Sequence, residues 1–193
     1  MGQRLVVEIQ KDGRTIAGIY YHWSAYTMSA LYTVKDIVNC LTDKENRIKD
    51  LRLRLIRFVE NEGGCIDGGI DSDEYKSISE MYPNEKFVEH GSRNHGLIAL
   101  TEDGINAIRD WSEGTIYINL DTKEITNWVI FNYQNIDDYN DFMQENKTLE
   151  DIEELNINII DIRFEDLKYV IDKLDNFGGY LFRNGNEIYQ LIE

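Results

Sequence analysis

The sequence contains little cysteine, little proline and few positive charges. Its 193 residues include two cysteines and one proline, and no run of eighteen or more apolar residues. Because the cysteines lack C-x-x-C spacing, we interpret both as free thiols in a reducing compartment. The N-terminal segment also lacks a basic stretch followed by a long apolar one, so we expect neither a signal peptide nor a membrane span. These features predict a cytoplasmic protein.

Positive charge is scarce relative to negative charge. The chain has 20 Lys and Arg against 36 Asp and Glu, a formal net charge of −16. Residues 120–193 hold 6 basic and 17 acidic residues, a net charge of −11. Phosphate backbones and anionic membranes are bound by clustered Lys and Arg, so we expect neither as the main partner. A basic protein surface is favoured instead, although an acidic surface can also serve solubility alone.

What the sequence does contain is typical of one globular domain over residues 1–193. Hydrophobic residues make up 42% of the chain and aromatic residues 11%, enough for a sizeable core. Alternating apolar residues around Asp12-Gly13 predict a hairpin over 5–22, and helical spacing follows over 27–60. The glycine-rich segment 60–75 predicts a loop.

The rest of the chain repeats these patterns. A strand at 96–100 precedes a short helix capped by Thr101, and a strand at 157–163 precedes a helix that includes Leu167. The sequence predicts an α+β fold, with a mostly antiparallel sheet built from hairpins and helices packed on one face. Further elements are predicted as hairpins at 115–133 and 179–192 and as helices at 136–143 and 148–156.

Two H-x-S triplets are the most specific indication of catalysis. They comprise His22 with Ser24 and His90 with Ser92. The triplets resemble those of 2H phosphoesterases, in which two histidines act as general acid and base on a phosphodiester and hydroxyl groups bind the phosphate. Threonine is the usual hydroxyl residue there, so the match is partial. In the alternative interpretation Ser24 caps a helix and Ser92 lies in a turn.

The stretch HGSRNHG at 90–96 has the composition of a ligand-binding loop. It gathers two histidines, an arginine and an asparagine between glycines, just before an apolar strand. Arg93 could bind an anion while nearby aromatic rings stack on a base, which would suit a nucleotide. The alternative is a polar loop beside core aromatics. The predicted ligand-binding residues are Tyr21, Trp23, Tyr26, Arg93, Asn94 and His95.

Acidic residues in the glycine-rich segment do not predict a metal site. Asp67, Asp71, Asp73 and Glu74 could supply oxygen ligands, but their spacing is not that of a calcium loop. The paired glycines match neither a Walker motif nor a dinucleotide-binding motif. We therefore predict no metal and no cofactor.

Four stretches carry a family resemblance: MGQRLVVEI at the start, YYHWSAYT at 20–27, RNHGLIALTEDGI at 93–105 and WSEGTIYINLD at 111–121. Together they resemble a family of small acidic proteins encoded by phages and prophages of low-GC Gram-positive bacteria. The resemblance implies a setting rather than a chemistry, namely a phage accessory protein in the cytoplasm of an infected bacterium.

In that setting we favour a binding protein, rather than an enzyme, that interferes with host defence machinery. It could dock an acidic face on a basic host protein, or it could sequester a nucleotide signal. The acidic face is predicted at Glu150, Glu153 and Glu154, which share one side of a short helix at helical spacing. The alternatives are a 2H-like phosphoesterase acting on a nucleotide or RNA phosphodiester, and a phage structural or assembly component.

Overall fold

A computed structural model describes residues 4–24, 27–128, 159–177, 181–184 and 187–190. The strands are β1 (Leu5–Lys11), β2 (Arg14–Tyr21), β3 (Cys65–Ile66), β4 (Leu97–Ala99), β5 (Gly114–Asn119), β6 (Glu124–Trp128), β7 (Ile159–Arg163), β8 (Leu181–Asn184) and β9 (Glu187–Gln190). The helices are α1 (Thr27–Thr42), α2 (Leu51–Asn61), α3 (Asp73–Met81), α4 (Glu102–Arg109) and α5 (Leu167–Phe177). None of these helices is long and apolar enough to cross a bilayer.

Seven strands form one mixed sheet in the order β3-β4-β2-β1-β5-β6-β7. Neighbouring strands are antiparallel except for the parallel pairs β1–β5 and β3–β4. This confirms the predicted α+β fold with a mostly antiparallel sheet. Asp12 and Gly13 both have positive φ, at 52° and 70°. They form the tight turn between β1 and β2, as the Asp-Gly pair predicts.

Both faces of the sheet are covered. The larger core lies on one face, where Val7 and Ile19 pack with α1, α2 and α5. On the opposite face a smaller cluster joins Val6, Tyr20 and Ala99 to Ile105 and Ile108 of α4. The helices of 27–60 lie on one face as predicted, but the short amphipathic α4 covers the other. Its two buried isoleucines, at i and i+3, explain this position.

The sequence predicts a loop throughout 60–75, but this segment contains β3 and the start of α3. Ser72 caps α3 by accepting a hydrogen bond from the Tyr75 N–H at 3.0 Å. A helix of nine residues with few apolar positions has a weak periodic pattern in its sequence. For this reason the sequence does not predict α3.

The C-terminal hairpin also differs from the prediction. Strands β8 and β9 pair with each other in a separate two-stranded sheet instead of joining the main sheet. Strand β7 occupies the edge position beside β6. The sequence pattern at 157–163 predicts this strand. The helices predicted at 136–143 and 148–156 lie outside the described residues.

A buried arginine closes the C-terminal end of α1. The Arg54 guanidinium donates to the carbonyls of Cys40 (3.2 Å), Leu41 (3.1 Å), Asp43 (3.2 Å) and Ile48 (2.6 and 2.8 Å). The last carbonyls of a helix have no partners within the helix, so Arg54 supplies the missing donors. This contact joins α1 to α2 under the sheet.

A second buried charged residue, Glu74, holds the N-terminal end of α4. Glu74 accepts hydrogen bonds from the backbone N–H groups of Leu100 (2.6 Å) and Thr101 (3.0 Å), and from the Thr101 hydroxyl. Thr101 in turn caps α4 through the Gly104 N–H at 3.0 Å. A carboxylate at a helix N-terminus is favourable because the helix dipole is positive there. Glu74 therefore fixes α4 over the sheet.

Candidate ligand-binding pocket

A pocket of about 310 Å³ lies where α4 and the edge of the sheet meet. Tyr20 and Leu97 occupy paired positions on β2 and β4, and Ile108 packs with them from α4. These side chains give the pocket an apolar wall, to which loops on either side add charged and aromatic groups. The lining residues are Tyr20, Asp67, Gly68, Arg93, Leu97, Ala107, Ile108 and Trp111.

One wall depends on an unusually close approach of two backbone segments. The loop 90–96 lies directly on residues 63–65, with hydrogen bonds from Ser92 N to Gly63 O (2.9 Å) and from Cys65 N to Gly96 O (3.1 Å). A Cβ atom at Gly91 would lie 2.4 Å from the carbonyl carbon of Gly64. No side chain fits at that distance, so glycine is required there.

The segment before this loop is held by α2. Arg57 pairs with Glu85 at 2.6 Å and donates to the Lys86 carbonyl at 2.8 Å. Glu60 accepts the Val88 N–H at 2.6 Å. The chain therefore enters the loop 90–96 from a fixed position.

Arg93 is the cation of the pocket. Its carbonyl accepts the His22 N–H at 3.1 Å, which ties the loop to the end of β2. Within the described part of the chain, its guanidinium forms no ion pair and no hydrogen bond. Burying or pairing an anion against this group would satisfy donors that are otherwise left to solvent.

Asp67 is the acid of the pocket. It follows β3 and is half-buried, and its backbone N–H donates to the Ile98 carbonyl at 2.9 Å. Burial raises the pKa of Asp67, the Gly68 N–H opposes that shift, and the negative charge of Glu74 adds to it. Among the described residues no cation pairs with Asp67, so Asp67 and Arg93 line one pocket without neutralising each other.

Tyr20 and His22 form a hydrogen-bonded pair beside Arg93. The Tyr20 Oη and His22 Nδ1 atoms are 2.7 Å apart. Burial raises the pKa of Tyr20. Desolvation, followed by the charges of Arg93 and Arg4, lowers the pKa of His22. At neutral pH the phenol is therefore protonated and the imidazole is neutral, and the tautomer of the imidazole sets which of the two atoms donates.

Trp111 stands at the pocket rim. It follows α4, and its backbone N–H donates to the Ile108 carbonyl at 3.2 Å. Its side chain is 60% exposed, the highest exposure among the large hydrophobic residues described. An exposed indole beside an arginine can stack on a planar ring.

The structure does not bring the predicted ligand-binding residues together in one pocket. Arg93 lines the pocket described above, whereas Trp23 is 47% exposed and stacks edge-on against His22. Tyr26 lies outside the described residues. Alternating strand geometry places adjacent tyrosines on opposite faces, so Tyr21 is buried in the larger core. Tyr21, Ser24, Asn94 and His95 instead line a smaller cleft of about 150 Å³, together with Asp36 and Glu62.

The histidines of the two H-x-S triplets have separate surroundings. His22 contacts Tyr20 and Trp23, whereas the exposed His90 lies in a loop beside Gly69. Among the described residues neither a hydrogen bond nor a ring contact joins the two imidazoles. Ser24 lies in the smaller cleft, and the Ser92 Oγ accepts the Asn94 N–H at 3.3 Å.

Two pocket residues carry little signal in the sequence. The sequence singles out Asp67 only as a possible metal ligand, and Trp111 only as the first residue of a stretch that carries the family resemblance. Across the described residues, no group of three or more His, Cys, Asp or Glu is arranged to hold a metal ion. The acidic residues Glu150, Glu153 and Glu154 lie outside the described residues, so their docking role stays a prediction.

Comparison with known proteins finds no match to a protein-family model, a curated protein or a solved structure.

Proposed function

We propose that this chain is a binding protein that holds a small anionic ligand with a planar ring, of the nucleotide class, in the pocket beside α4. The observation that supports this most is the Arg93 guanidinium, which pairs with no acidic group among the described residues and shares its pocket with Tyr20 and Trp111. Arginine binds phosphate through two parallel hydrogen bonds, and aromatic rings stack on any base.

The size of the pocket favours a small ligand. A volume of about 310 Å³ is near the lower end of the range of roughly 300–1,000 Å³ typical of small-molecule sites. A mononucleotide is of this order, whereas a polynucleotide would extend into the field of a chain with net charge −16. Charges beyond about 8 Å are largely screened at physiological ionic strength, so one phosphate at Arg93 responds mainly to its immediate surroundings.

Binding without turnover fits the surroundings of the two histidines better than catalysis does. The His22 Nδ1 is engaged by Tyr20, and His90 lies in a loop beside Gly69. A general acid and base pair must reach one phosphodiester together. In an infected cell, a protein that binds a nucleotide tightly and leaves it intact would lower the free concentration of a defence signal, which is the role we propose.

The test is calorimetric titration of the protein with nucleoside monophosphates, using the parent, Arg93→Gln and Arg14→Gln. Arg14 is an exposed arginine at the start of β2 and does not line the pocket, so it is a matched control for loss of one positive charge. A hydrogen bond to a charged group contributes about 1.5–3 kcal/mol, so Arg93→Gln should weaken binding about 10-fold to 100-fold. Arg14→Gln should bind as the parent does. Absence of binding by the parent, or equal weakening in both variants, would contradict the proposal.

A further inference from the structure

We infer that the ring of the ligand is guanine and that Asp67 is the residue that recognises it. This inference rests on the proposed nucleotide binding and assigns the base. Three features carry it: Asp67 lines the pocket, this residue is half-buried, and no cation among the described residues forms an ion pair with it.

A carboxylate in this position requires hydrogen-bond donors. When ionised it can only accept, and its two oxygens together accept up to about four hydrogen bonds. The Gly68 N–H favours the charged form of Asp67, and among the described residues no side chain donates a hydrogen bond to it. Partial burial without further donors is unfavourable for a charged group, so a ligand that brings N–H groups would be selected.

The charges of the pocket also define the two ends of the ligand. Asp67 and Arg93 have opposite signs and line the same pocket, yet they do not form an ion pair. A ligand that complements both must present donors at one end and negative charge at the other. A nucleoside monophosphate meets this requirement only if its base has donors on an exposed edge.

Guanine fits this requirement better than the other common bases. Its N1–H and exocyclic N2 amine are adjacent donors, which match the two oxygens of one carboxylate. Adenine places the acceptor N1 beside its amine, so one carboxylate oxygen would face a lone pair. Hypoxanthine retains N1–H but lacks the amine. A site with a buried acceptor discriminates strongly against analogues that lack the matching donor.

The test compares bases and then exchanges the acceptor for a donor. Calorimetric titration of the parent should give GMP an affinity about tenfold or more above AMP and IMP, because each of them leaves one carboxylate oxygen unpaired. In Asp67→Asn, the amide donates where the carboxylate accepted. Xanthine carries a carbonyl oxygen in place of the guanine amine, so this variant should lose affinity for GMP and gain affinity for XMP. Asp71→Asn, at an exposed neighbouring aspartate, is the matched control and should keep the parent's preference.

The outcomes separate this inference from the proposed function. If AMP, IMP and GMP bind the parent equally, and Arg93→Gln weakens all of them, the pocket binds nucleotides but Asp67 does not select guanine. If Asp67→Asn retains the parent's preference for GMP over XMP, the assignment of Asp67 is also overturned. If no nucleotide binds the parent, both the proposed function and the guanine assignment fail.

Discussion

The Tyr20 Oη lies 2.7 Å from the Nδ1 of His22, at the point where β2 leaves the sheet. The backbone N–H of His22 donates to the Arg93 carbonyl at 3.1 Å. The end of β2 thereby connects Tyr20, in the wall of the pocket, to Arg93, its cation. A strand end is a rigid support for a loop residue. The backbone of Arg93 is therefore held beside the end of β2 by this hydrogen bond.

The first prediction concerns the titration of His22. Its pKa is lowered by desolvation and by the charges of Arg93 and Arg4, so Arg93→Gln should raise the pKa toward the ordinary value of about 6.5. The folded protein binds this proton less readily than the unfolded chain does. The resulting contribution to stability is thus present above about pH 6.5 and decreases as the pH falls through the folded-state pKa. NMR titration of the His22 ring protons measures the shift, and an unchanged pKa in Arg93→Gln would show that Arg93 is not close to His22.

The second prediction is that Asp67→Asn stabilises the unliganded protein at neutral pH. Burial raises the pKa of Asp67, so the folded state binds its proton more tightly than the unfolded chain. The stability contributed by this group therefore decreases as the pH rises through the folded-state pKa. Thermal unfolding from about pH 8 to about pH 4 should show a higher midpoint for Asp67→Asn at the upper end and a shrinking difference toward the lower end. A lower midpoint than the parent at neutral pH would mean that the chain itself uses the carboxylate.

The third prediction concerns the contact between Gly91 and Gly64. In Gly91→Ala the new Cβ would lie 2.4 Å from the Gly64 carbonyl carbon and 2.8 Å from the Cys65 nitrogen, both of which are backbone atoms. The loop 90–96 must then move and carry Arg93 away from the pocket. We expect a loss of about 1–3 kcal/mol in the free energy of unfolding by urea, together with weaker ligand binding.

Ser92→Ala is the control for this loop, because among the described residues the Ser92 hydroxyl accepts a single hydrogen bond, from the backbone N–H of Asn94 at 3.3 Å. It should change stability by less than about 0.5 kcal/mol. If Gly91→Ala unfolds and binds as the parent does, the close approach does not hold the loop in place.

The fourth prediction concerns Arg54. Replacement by methionine keeps most of the apolar stem but leaves the carbonyls at the end of α1 without their donor. Each buried unsatisfied group costs about 1–3 kcal/mol, so Arg54→Met should reduce the free energy of unfolding by about 3 kcal/mol or more. Arg52→Met, two residues before Arg54 on the same helix, serves as the comparison. A loss of less than about 1 kcal/mol in Arg54→Met would mean that water replaces the guanidinium without penalty.

Local chemistry explains which parts of the fold the sequence predicts. The Asp12-Gly13 turn and the alternation around it are sufficient for the first hairpin, and Thr101 is sufficient for the start of α4. The parallel pairing of β1 with β5 and the two-residue strand β3 depend on contacts between distant segments. The alternation within a strand does not reveal which distant strand it pairs with, so the strand order could not be predicted.

The same distinction applies to the pocket. Arg93 is predicted because its own loop has the composition of an anion-binding segment. Asp67 is not, because it comes to line the same pocket as Arg93 only through the close approach of two glycine-containing segments nearly thirty residues apart in sequence, at Gly64 and Gly91. Adjacent tyrosines look equivalent in the sequence, yet strand alternation places Tyr20 at the pocket and Tyr21 in the opposite core.

The most direct test of the central claim is an NMR titration of the isotopically labelled protein with GMP. If the pocket beside α4 is the binding site, the largest shifts should occur at the Trp111 indole N–H and at the backbone amides of Asp67 and Arg93. Residues of the smaller cleft, such as Thr33 and Glu62, should stay unchanged. Shifts concentrated in that cleft, or no shifts at millimolar GMP, would contradict the account.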